Sequence, residues 1–168
     1  MPRRNLELKA RDRDPSRSLK VCESLGAEEQ GLLLQQDTYF EVPRGRLKLR
    51  RESDATAQLI SYERRDLPGQ RESRFRIVEV AEPTELEGAL KATLGIKVVV
   101  SKQRRLFLLG DVRIHLDLVV DLGDFIEFEA VGGHTDPARF EDVLSGLCSS
   151  FGIEDADLVA GSYSDLSA

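Results

Sequence analysis

The sequence has no tryptophan and only two cysteines, and aromatic residues make up 6% of the chain. Proteins that bind single-stranded nucleic acid by stacking its bases need more aromatic side chains, so we expect no nucleic-acid partner. Cys22 and Cys148 lie far apart without paired spacing, which argues against a disulfide framework and a zinc motif. No apolar run approaches the roughly 20 residues of a membrane span, and no signal peptide is recognisable. We therefore expect a cytoplasmic protein that does not enter a membrane.

The composition is that of an ordinary globular chain. Its 168 residues are 40% hydrophobic, enough to fill the core of one domain, which we predict to span residues 1–168. Lysine and arginine number 24 against 30 aspartates and glutamates, giving a formal net charge of −6. This balance argues against a surface built throughout to bind nucleic acid, so any site for an anion must be local.

Turn signals recur at short intervals, and the runs between them alternate in polarity as strands do. We predict strands near 4–11, 31–41, 46–52, 57–65, 71–80, 97–109, 112–121 and 125–131. Amphipathic patterns with capping residues predict helices at 15–26, 83–94 and 136–151. A mostly antiparallel sheet covered by helices, an α+β fold, follows from this order.

Alternation gives several of these strands one apolar face and one charged face. In the first strand Leu6 and Leu8 share one side, whereas Glu7 and Lys9 share the other. The charged faces of three later strands carry Lys48 and Arg50, then Arg113, His115 and Asp117, then Glu127 and Glu129. For a single strand, a solvated outer face is the simpler interpretation. Across four strands, we instead predict a closed sheet with its apolar side against the helices and its charged side around a tunnel.

Such a tunnel has the chemistry of a polyphosphate site. Glu7, Asp117, Glu127 and Glu129 are hard oxygen ligands that suit Mg²⁺ or Mn²⁺. Lysine and arginine match phosphate oxygens, and the predicted set is Lys9, Lys48, Arg50, Lys102 and Arg104. Confined carboxylates repel one another without a metal, so we expect the empty tunnel to be destabilised by them.

The run Asn5-Leu6-Glu7-Leu8-Lys9 resembles the opening Glu-x-Glu-x-Lys signature of the CYTH family, also called triphosphate tunnel metalloenzymes. The segments that resemble its later motifs, in order, are Asp37-Thr38-Tyr39-Phe40, Leu47-Lys48-Leu49-Arg50, Ser101-Lys102-Gln103-Arg104, His115-Leu116-Asp117, Leu122 to Glu129 and Ser162 to Leu166. The ordered set is much more specific than the first motif alone. The resemblance implies an eight-stranded antiparallel closed β-barrel, the triphosphate tunnel, with helices packed outside.

The family includes class IV adenylyl cyclases, thiamine triphosphatases and inorganic tripolyphosphatases, which act on triphosphates with a divalent metal. The chain is most similar to the compact bacterial branch named for the cyclases. The resemblance therefore implies a small triphosphate-containing partner and Mg²⁺ or Mn²⁺. Hydrolysis of a linear triphosphate is our first expectation, with cyclic AMP formation and a noncatalytic polyphosphate-binding module as alternatives. A monomer and a homodimer are both compatible with the sequence.

Residue by residue, the resemblance implies metal binding by Glu7, Asp117, Glu127 and Glu129. It implies phosphate contacts by Lys9, Lys48, Arg50, Lys102 and Arg104, and extends them to Arg74. Arg64 is a further candidate contact, beside a position where the chain departs from the family pattern. Among all of these, Glu7, Lys9 and Glu129 are the expected catalytic residues.

Two positions depart from the family pattern. Asn5 replaces the first signature glutamate by an uncharged amide, which weakens the expectation of a second metal. Where the family commonly has a tunnel lysine, this chain has Glu63 followed by Arg64, and the pattern leaves open which of the two points inward. His115 is expected in the lumen as a hydrogen-bonding partner of a ligand rather than as a proton-transfer group.

Overall fold

The structure is a computed structural model that describes residues 2–130 and 136–167. Its strands are β1 (Arg3–Arg11), β2 (Glu28–Phe40), β3 (Arg46–Glu52), β4 (Ala57–Arg64), β5 (Arg71–Glu79), β6 (Ile96–Leu109), β7 (Val112–Val119) and β8 (Gly123–Ala130). The helices are α1 (Pro15–Ser24), α2 (Pro83–Leu94), α3 (Pro137–Phe151) and the short α4 (Tyr163–Leu166), with a 3₁₀ turn at Asp155–Asp157. None of the described helices has the length and apolar character needed to cross a membrane.

The eight strands close into an antiparallel barrel in the order β1-β5-β4-β3-β2-β6-β7-β8. The predicted α+β class and closed barrel are therefore confirmed. Strand β2 starts three residues before its predicted start, because a bulge at Gly31 with φ +128° lets its pairing with β6 continue. Strand β7 ends at Val119, and Asp121 with φ +66° turns the chain into β8. The predicted end of β8 at residue 131 lies outside the described residues.

The main apolar core lies outside the barrel, between the sheet and two helices. Leu6, Leu8 and Ala10 of β1 pack there with Ile114, Ile126 and Phe128 of the adjoining strands. Helix α3 contributes the stripe Phe140, Leu144, Leu147 and Phe151, spaced three to four residues apart as one helical face requires. At its start, the Asp136 side chain accepts a hydrogen bond of 3.0 Å from the Ala138 amide. This packing leaves the charged faces of the strands for the interior.

The C-terminal segment 158–166 crosses one end of the barrel. The Val159 amide donates to the Lys9 carbonyl of β1 at 2.9 Å, and Asp165 accepts from Arg46 of β3 at 2.7 Å. On other strands, Arg71 of β5 donates to the Val159 carbonyl, and the Tyr163 hydroxyl donates to Asp117 of β7. Because these strands surround the barrel, the segment closes this end and puts Tyr163 in the floor of the lumen.

Candidate active site

The barrel encloses a cavity of about 770 Å³. From the closed end outwards, the lumen-facing residues of β1 are Lys9, Glu7 and Asn5. On β6 the corresponding order is Lys102, Arg104 and then Leu106. On β6 the lumen positions therefore change from charged to apolar towards the mouth, although Arg3, Glu52 and Arg113 of other strands also line that end.

Asp37 is the centre of a group of cations in the inner tunnel, which also contains Lys48, Arg50 and Lys102 and is called the Asp37 cluster below. Its carboxylate is fully buried and accepts hydrogen bonds from Lys48 at 3.0 Å, Lys102 at 2.9 Å and Arg50 at 2.8 Å. Burial opposes ionisation of Asp37, but the three cations outweigh it and hold its pKa well below the usual range. One carboxylate thus faces three cations, so the cluster keeps a net positive charge that can bind an anion.

Arg104 and Asp117 form a second buried pair. The guanidinium donates two hydrogen bonds of 2.8 Å to the two carboxylate oxygens, and Oδ2 also accepts 2.7 Å from the Tyr163 hydroxyl. Burial raises the pKa of Tyr163 well above its usual value, and Asp117 raises it further, so the hydroxyl stays protonated. Asp117 therefore orients Arg104 and Tyr163, and both of its oxygens accept hydrogen bonds from these two residues.

Glu7 faces two buried arginines. Arg64 Nη1 donates to Glu7 Oε1 at 2.6 Å, and Arg71 Nε lies 3.3 Å from the same oxygen without hydrogen-bond alignment. Arg64 points inward because β4 alternates regularly, and Glu63 is therefore on the outer face opposite Arg74. Buried Nε and Nη2 atoms of both arginines have no partner within the described part of the chain. These donors add to the capacity for anions.

The remaining carboxylates lie near His115. Glu127 is buried, 3.5 Å from Lys9 Nζ and 3.2 Å from His115 Nδ1. Burial raises the pKa of Glu127, but Lys9 and His115 outweigh this effect and hold it well below its usual range. Glu129 lies 3.8 Å from Arg113. One ligand atom each of His115, Glu127 and Glu129 lies within 4.8 Å of the other two, so this group has suitable donors for a cation.

The structure corrects two expectations from the sequence. Arg74 does not line the tunnel, because it lies on the outer face of β5, where its half-exposed guanidinium contacts Glu72 at 3.0 Å. The carboxylates also do not simply repel one another, because each lies beside at least one cation. The structure places the other predicted phosphate contacts, Lys9, Lys48, Arg50, Arg64, Lys102 and Arg104, along the tunnel.

Sequence reasoning missed Asp37 and Arg71 as site residues, and it gave Tyr163 no role. Asp37 alternates with Gln35 and Tyr39 on β2, so its lumen position was readable from the pattern. Arg71 offered no such signal, because charged residues occupy both faces of β5.

Two apolar walls flank the outer tunnel. Ile60, Phe75 and Ile77 line it from β4 and β5, and Leu33 and Leu106 line it from β2 and β6. Strands β5 and β6 are four positions apart in the eight-strand order, so these walls lie on opposite sides of the lumen. The space between them suits an uncharged organic group better than another phosphate.

The position of Lys48 predicts that binding of a polyanion in the tunnel depends on pH. Its burial and the neighbouring Arg50 lower the pKa of Lys48 to about 8, despite the attraction of Asp37. A bound polyanion favours the ammonium form, so its affinity is expected to fall as pH rises above 8, by at most about tenfold per pH unit for one proton. Calorimetric titration with tripolyphosphate at pH 7 to 10 measures this change. Because arginine stays charged over this range, the affinity of Lys48→Arg for tripolyphosphate should not fall near pH 8. If the affinity of this variant fell as in wild type, a group other than Lys48 would cause the pH dependence.

Comparison with known proteins agrees with this architecture. The family model of the CYTH domain matches residues 3–163. A protein from Pyrococcus horikoshii has a TM-score of 0.85 at 24% identity, with 99% of each chain covered. A candidate adenylate cyclase from Vibrio parahaemolyticus has a TM-score of 0.81 at 21% identity, with both chains fully covered.

A more distant structure adds a chemical comparison. A candidate adenylyl cyclase from Hippeastrum, for which a dominant triphosphatase activity is described, has a TM-score of 0.66 at 17% identity, with 94% of this chain and 90% of that chain covered. No curated protein matches the chain. Identities this low establish a shared fold only, whereas the family model covers nearly the whole sequence. The chain therefore belongs to the CYTH family.

Proposed function

We propose that this protein hydrolyses a linear triphosphate bound in the tunnel with a divalent metal ion. The observation that carries the proposal is the surplus of cations over acids among the described residues of the inner lumen, in a protein whose net charge is −6. The cations are Lys9, Lys48, Arg50, Arg64, Arg71, Lys102 and Arg104, and the acids are Glu7, Asp37, Asp117, Glu127 and Glu129. A buried positive surplus is costly unless an anion neutralises it. A triphosphate supplies several negative charges along a line, which suits a tunnel with cations on its successive strands.

The phosphate oxygens bind to the Asp37 cluster and the neighbouring Arg104 at one side of the inner tunnel and to Lys9 of β1 at the other. Arg50 and Arg104 keep their orientation through two hydrogen bonds each to Asp37 and Asp117. Such fixed donors stabilise negative charge without having to reorganise during the reaction. Arg64 adds donors beside Glu7, whose carboxylate it partly neutralises.

The donors near His115 fit Mg²⁺ or Mn²⁺. Glu127 and Glu129 would hold the ion, and Glu7, the pairing partner of Glu129 across β1 and β8, would join them only by giving up its contact with Arg64. Asn5 Oδ1 lines the same side of the cavity as a buried oxygen without a hydrogen-bond partner in the described residues, in place of the family's carboxylate. When bound, the ion withdraws charge from the phosphates and acidifies a water molecule.

Hydrolysis then needs little covalent chemistry from the chain. The water oxygen bonds to the terminal phosphorus as the bridging P–O bond breaks, releasing phosphate and the remaining diphosphate. Glu129, the more exposed of the two carboxylates, accepts the water proton, and Lys9 stabilises the charge that develops on the phosphates. The family resemblance implies metal binding by Glu129 and phosphate contact by Lys9; the role of Glu129 as proton acceptor belongs to this proposal.

Adenylyl cyclase activity is the second candidate, and the apolar walls at the mouth favour it. Ile60, Phe75 and Ile77 face Leu33 and Leu106 where the organic part of a nucleotide would emerge. In cyclisation, the 3′-hydroxyl of the nucleotide replaces water as the nucleophile, and diphosphate leaves. The same walls also favour an organic triphosphate over tripolyphosphate as the hydrolysed substrate.

Purified protein incubated with tripolyphosphate, ATP or thiamine triphosphate, each with Mg²⁺ or Mn²⁺, separates these functions. Release of phosphate supports hydrolysis, whereas release of cyclic AMP and diphosphate from ATP would replace it by cyclisation. Binding of every triphosphate without turnover would identify a noncatalytic module.

Glu129→Gln is expected to lower kcat at least about 100-fold, because one charged metal ligand and proton acceptor is lost. Its stability without ligand should change by less than about 1 kcal/mol, since Glu129 is paired only at 3.8 Å with the half-exposed Arg113 among the described residues. Steady-state assays and thermal melts measure the two effects. Glu72→Gln, on the outer face, is the matched control; full activity in Glu129→Gln would remove Glu129 from the mechanism.

A further inference from the structure

We infer that His115 binds the divalent cation directly, together with Glu127 and Glu129, and that this mixed nitrogen and oxygen site prefers Mn²⁺ to Mg²⁺. The inference rests on the proposed function only for the presence of a cation in the tunnel. It assigns His115 as a metal ligand, whereas the sequence suggested only a hydrogen-bonding partner.

The three side chains converge because of their positions in the sheet. His115 and Glu127 are direct pairing partners on β7 and β8, and Glu129 lies two residues further along β8 on the same face. His115 and Glu127 are almost fully buried, and all three line the cavity. Their ligand atoms lie within 4.8 Å of one another. Ligands on opposite sides of one Mn²⁺ or Mg²⁺ ion are about 4 Å apart, so small side-chain movements complete the contact.

The other lumen carboxylates are already engaged more tightly. Asp37 accepts from three cations, and both oxygens of Asp117 accept from Arg104. Glu7 accepts from Arg64 at 2.6 Å with Arg71 also close. Glu127 has weaker competition, since Lys9 Nζ lies 3.5 Å away. The His115 group is therefore the part of the described lumen from which a cation displaces the fewest strong contacts.

The contact between His115 Nδ1 and Glu127 Oε1, 3.2 Å long, also suits metal binding. Neighbouring ligand atoms on an octahedral ion with bonds of about 2.1 Å lie about 3 Å apart, so one cation can take Nδ1 and Oε1 as neighbouring ligands. A separate observation is the buried Asn5 Oδ1, an acceptor without a partner among the described residues, which lines this cavity two residues from Glu7. An oxygen acceptor left unsatisfied in this part of the tunnel indicates a missing positively charged or hydrogen-bonding group.

The nitrogen ligand determines the preference between metals. Mg²⁺ demands oxygen donors, loses water reluctantly and gains little from an imidazole. First-row transition ions accept imidazole nitrogen readily alongside carboxylates. Since Asn5 also removes one carboxylate from the signature, the site has fewer charged oxygens and one nitrogen. Both changes disfavour Mg²⁺ relative to Mn²⁺.

The test uses the purified protein titrated with MnCl₂ or MgCl₂ alone. Wild type should bind Mn²⁺ at least tenfold more tightly than Mg²⁺, and pulsed electron paramagnetic resonance of bound Mn²⁺ should detect coupling to a directly bound ¹⁴N. His115→Gln should lose this coupling and at least tenfold in Mn²⁺ affinity, with Mg²⁺ affinity changing less than threefold. Leu106→Met, which alters the lumen residue paired with His115 and keeps the imidazole, is the control.

Absence of ¹⁴N coupling in wild type overturns the inference without requiring any variant to fold. An equal loss of Mn²⁺ and Mg²⁺ affinity in folded His115→Gln also overturns it, because His115 would then only orient Glu127. Turnover with triphosphate but without ¹⁴N coupling refutes this ligand assignment and leaves the proposed function standing. If ¹⁴N coupling is present but no triphosphate is turned over, the ligand assignment is supported and the proposed hydrolase activity is refuted.

Discussion

Asp37→Ala is expected to lower the free energy of unfolding by about 3–5 kcal/mol at neutral pH, as removal of one partner from a buried charge pair does. The substitution leaves Lys48, Arg50 and Lys102 facing one another without an acid. Burial already lowers the pKa of Lys102 well below its usual value, and loss of Asp37 lowers it further. The destabilisation should therefore shrink between pH 7 and 9 as the uncompensated lysines lose their protons.

A bound triphosphate should reverse the effect, because it replaces the missing negative charge. The stabilisation that tripolyphosphate gives is expected to be larger in Asp37→Ala than in wild type, since stabilisation follows affinity for the folded state. Urea denaturation at several pH values, with and without tripolyphosphate, measures the free energy of unfolding of each protein and the stabilisation that tripolyphosphate gives. Glu141→Ala removes an exposed acid from α3 and should change stability by less than about 0.5 kcal/mol. If Asp37→Ala were as stable as wild type and gained no more from tripolyphosphate, the Asp37 cluster would not be an anion site.

The closed barrel was predictable because two periodicities in the sequence agree. Leu6 and Leu8 alternate with Glu7 and Lys9, and the apolar stripe of α3 requires a sheet face to cover. Together they determine which side of the sheet is inside. The end of the barrel was not predictable, because α4 has only four residues and is held by distant contacts such as Arg46 with Asp165.

The pairing of charges inside the barrel could not be predicted from the sequence. Lys102 reaches Asp37 over 65 positions, and Arg64 reaches Glu7 over 57, so each contact depends on the stagger between strands. Arg74 was wrongly placed because β5 carries charges on both faces, and only pairing with β1 and β4 decides that Arg71 points inward. The register of β4 likewise decides between Glu63 and Arg64. Residue type predicted the site's chemistry, and strand register determined its members.

Arg104→Ala is expected to weaken tripolyphosphate binding by about 1.5–3 kcal/mol, or roughly 10- to 150-fold, because a charge-assisted contact is lost. The single substitution also leaves Asp117 buried with only the Tyr163 hydroxyl as a described hydrogen-bond donor. It should therefore cost about 3–5 kcal/mol of stability, which would obscure the effect on binding. Adding Asp117→Asn removes the uncompensated charge, so the double variant should be more stable than Arg104→Ala alone.

The double-mutant cycle separates the structural and binding roles of Arg104. If Arg104 contacts phosphate, the double variant should regain stability but not affinity, while Asp117→Asn alone should bind tripolyphosphate at least as tightly as wild type, because it removes a negative charge beside Arg104. Chemical denaturation of wild type, the two single variants and the double variant gives their free energies of unfolding, and calorimetric titration gives their binding free energies for tripolyphosphate. Recovery of both stability and affinity in the double variant would mean that Arg104 only supports the barrel. Recovery of stability alone would place its guanidinium on the triphosphate, since no structural defect would then remain to explain the lost affinity.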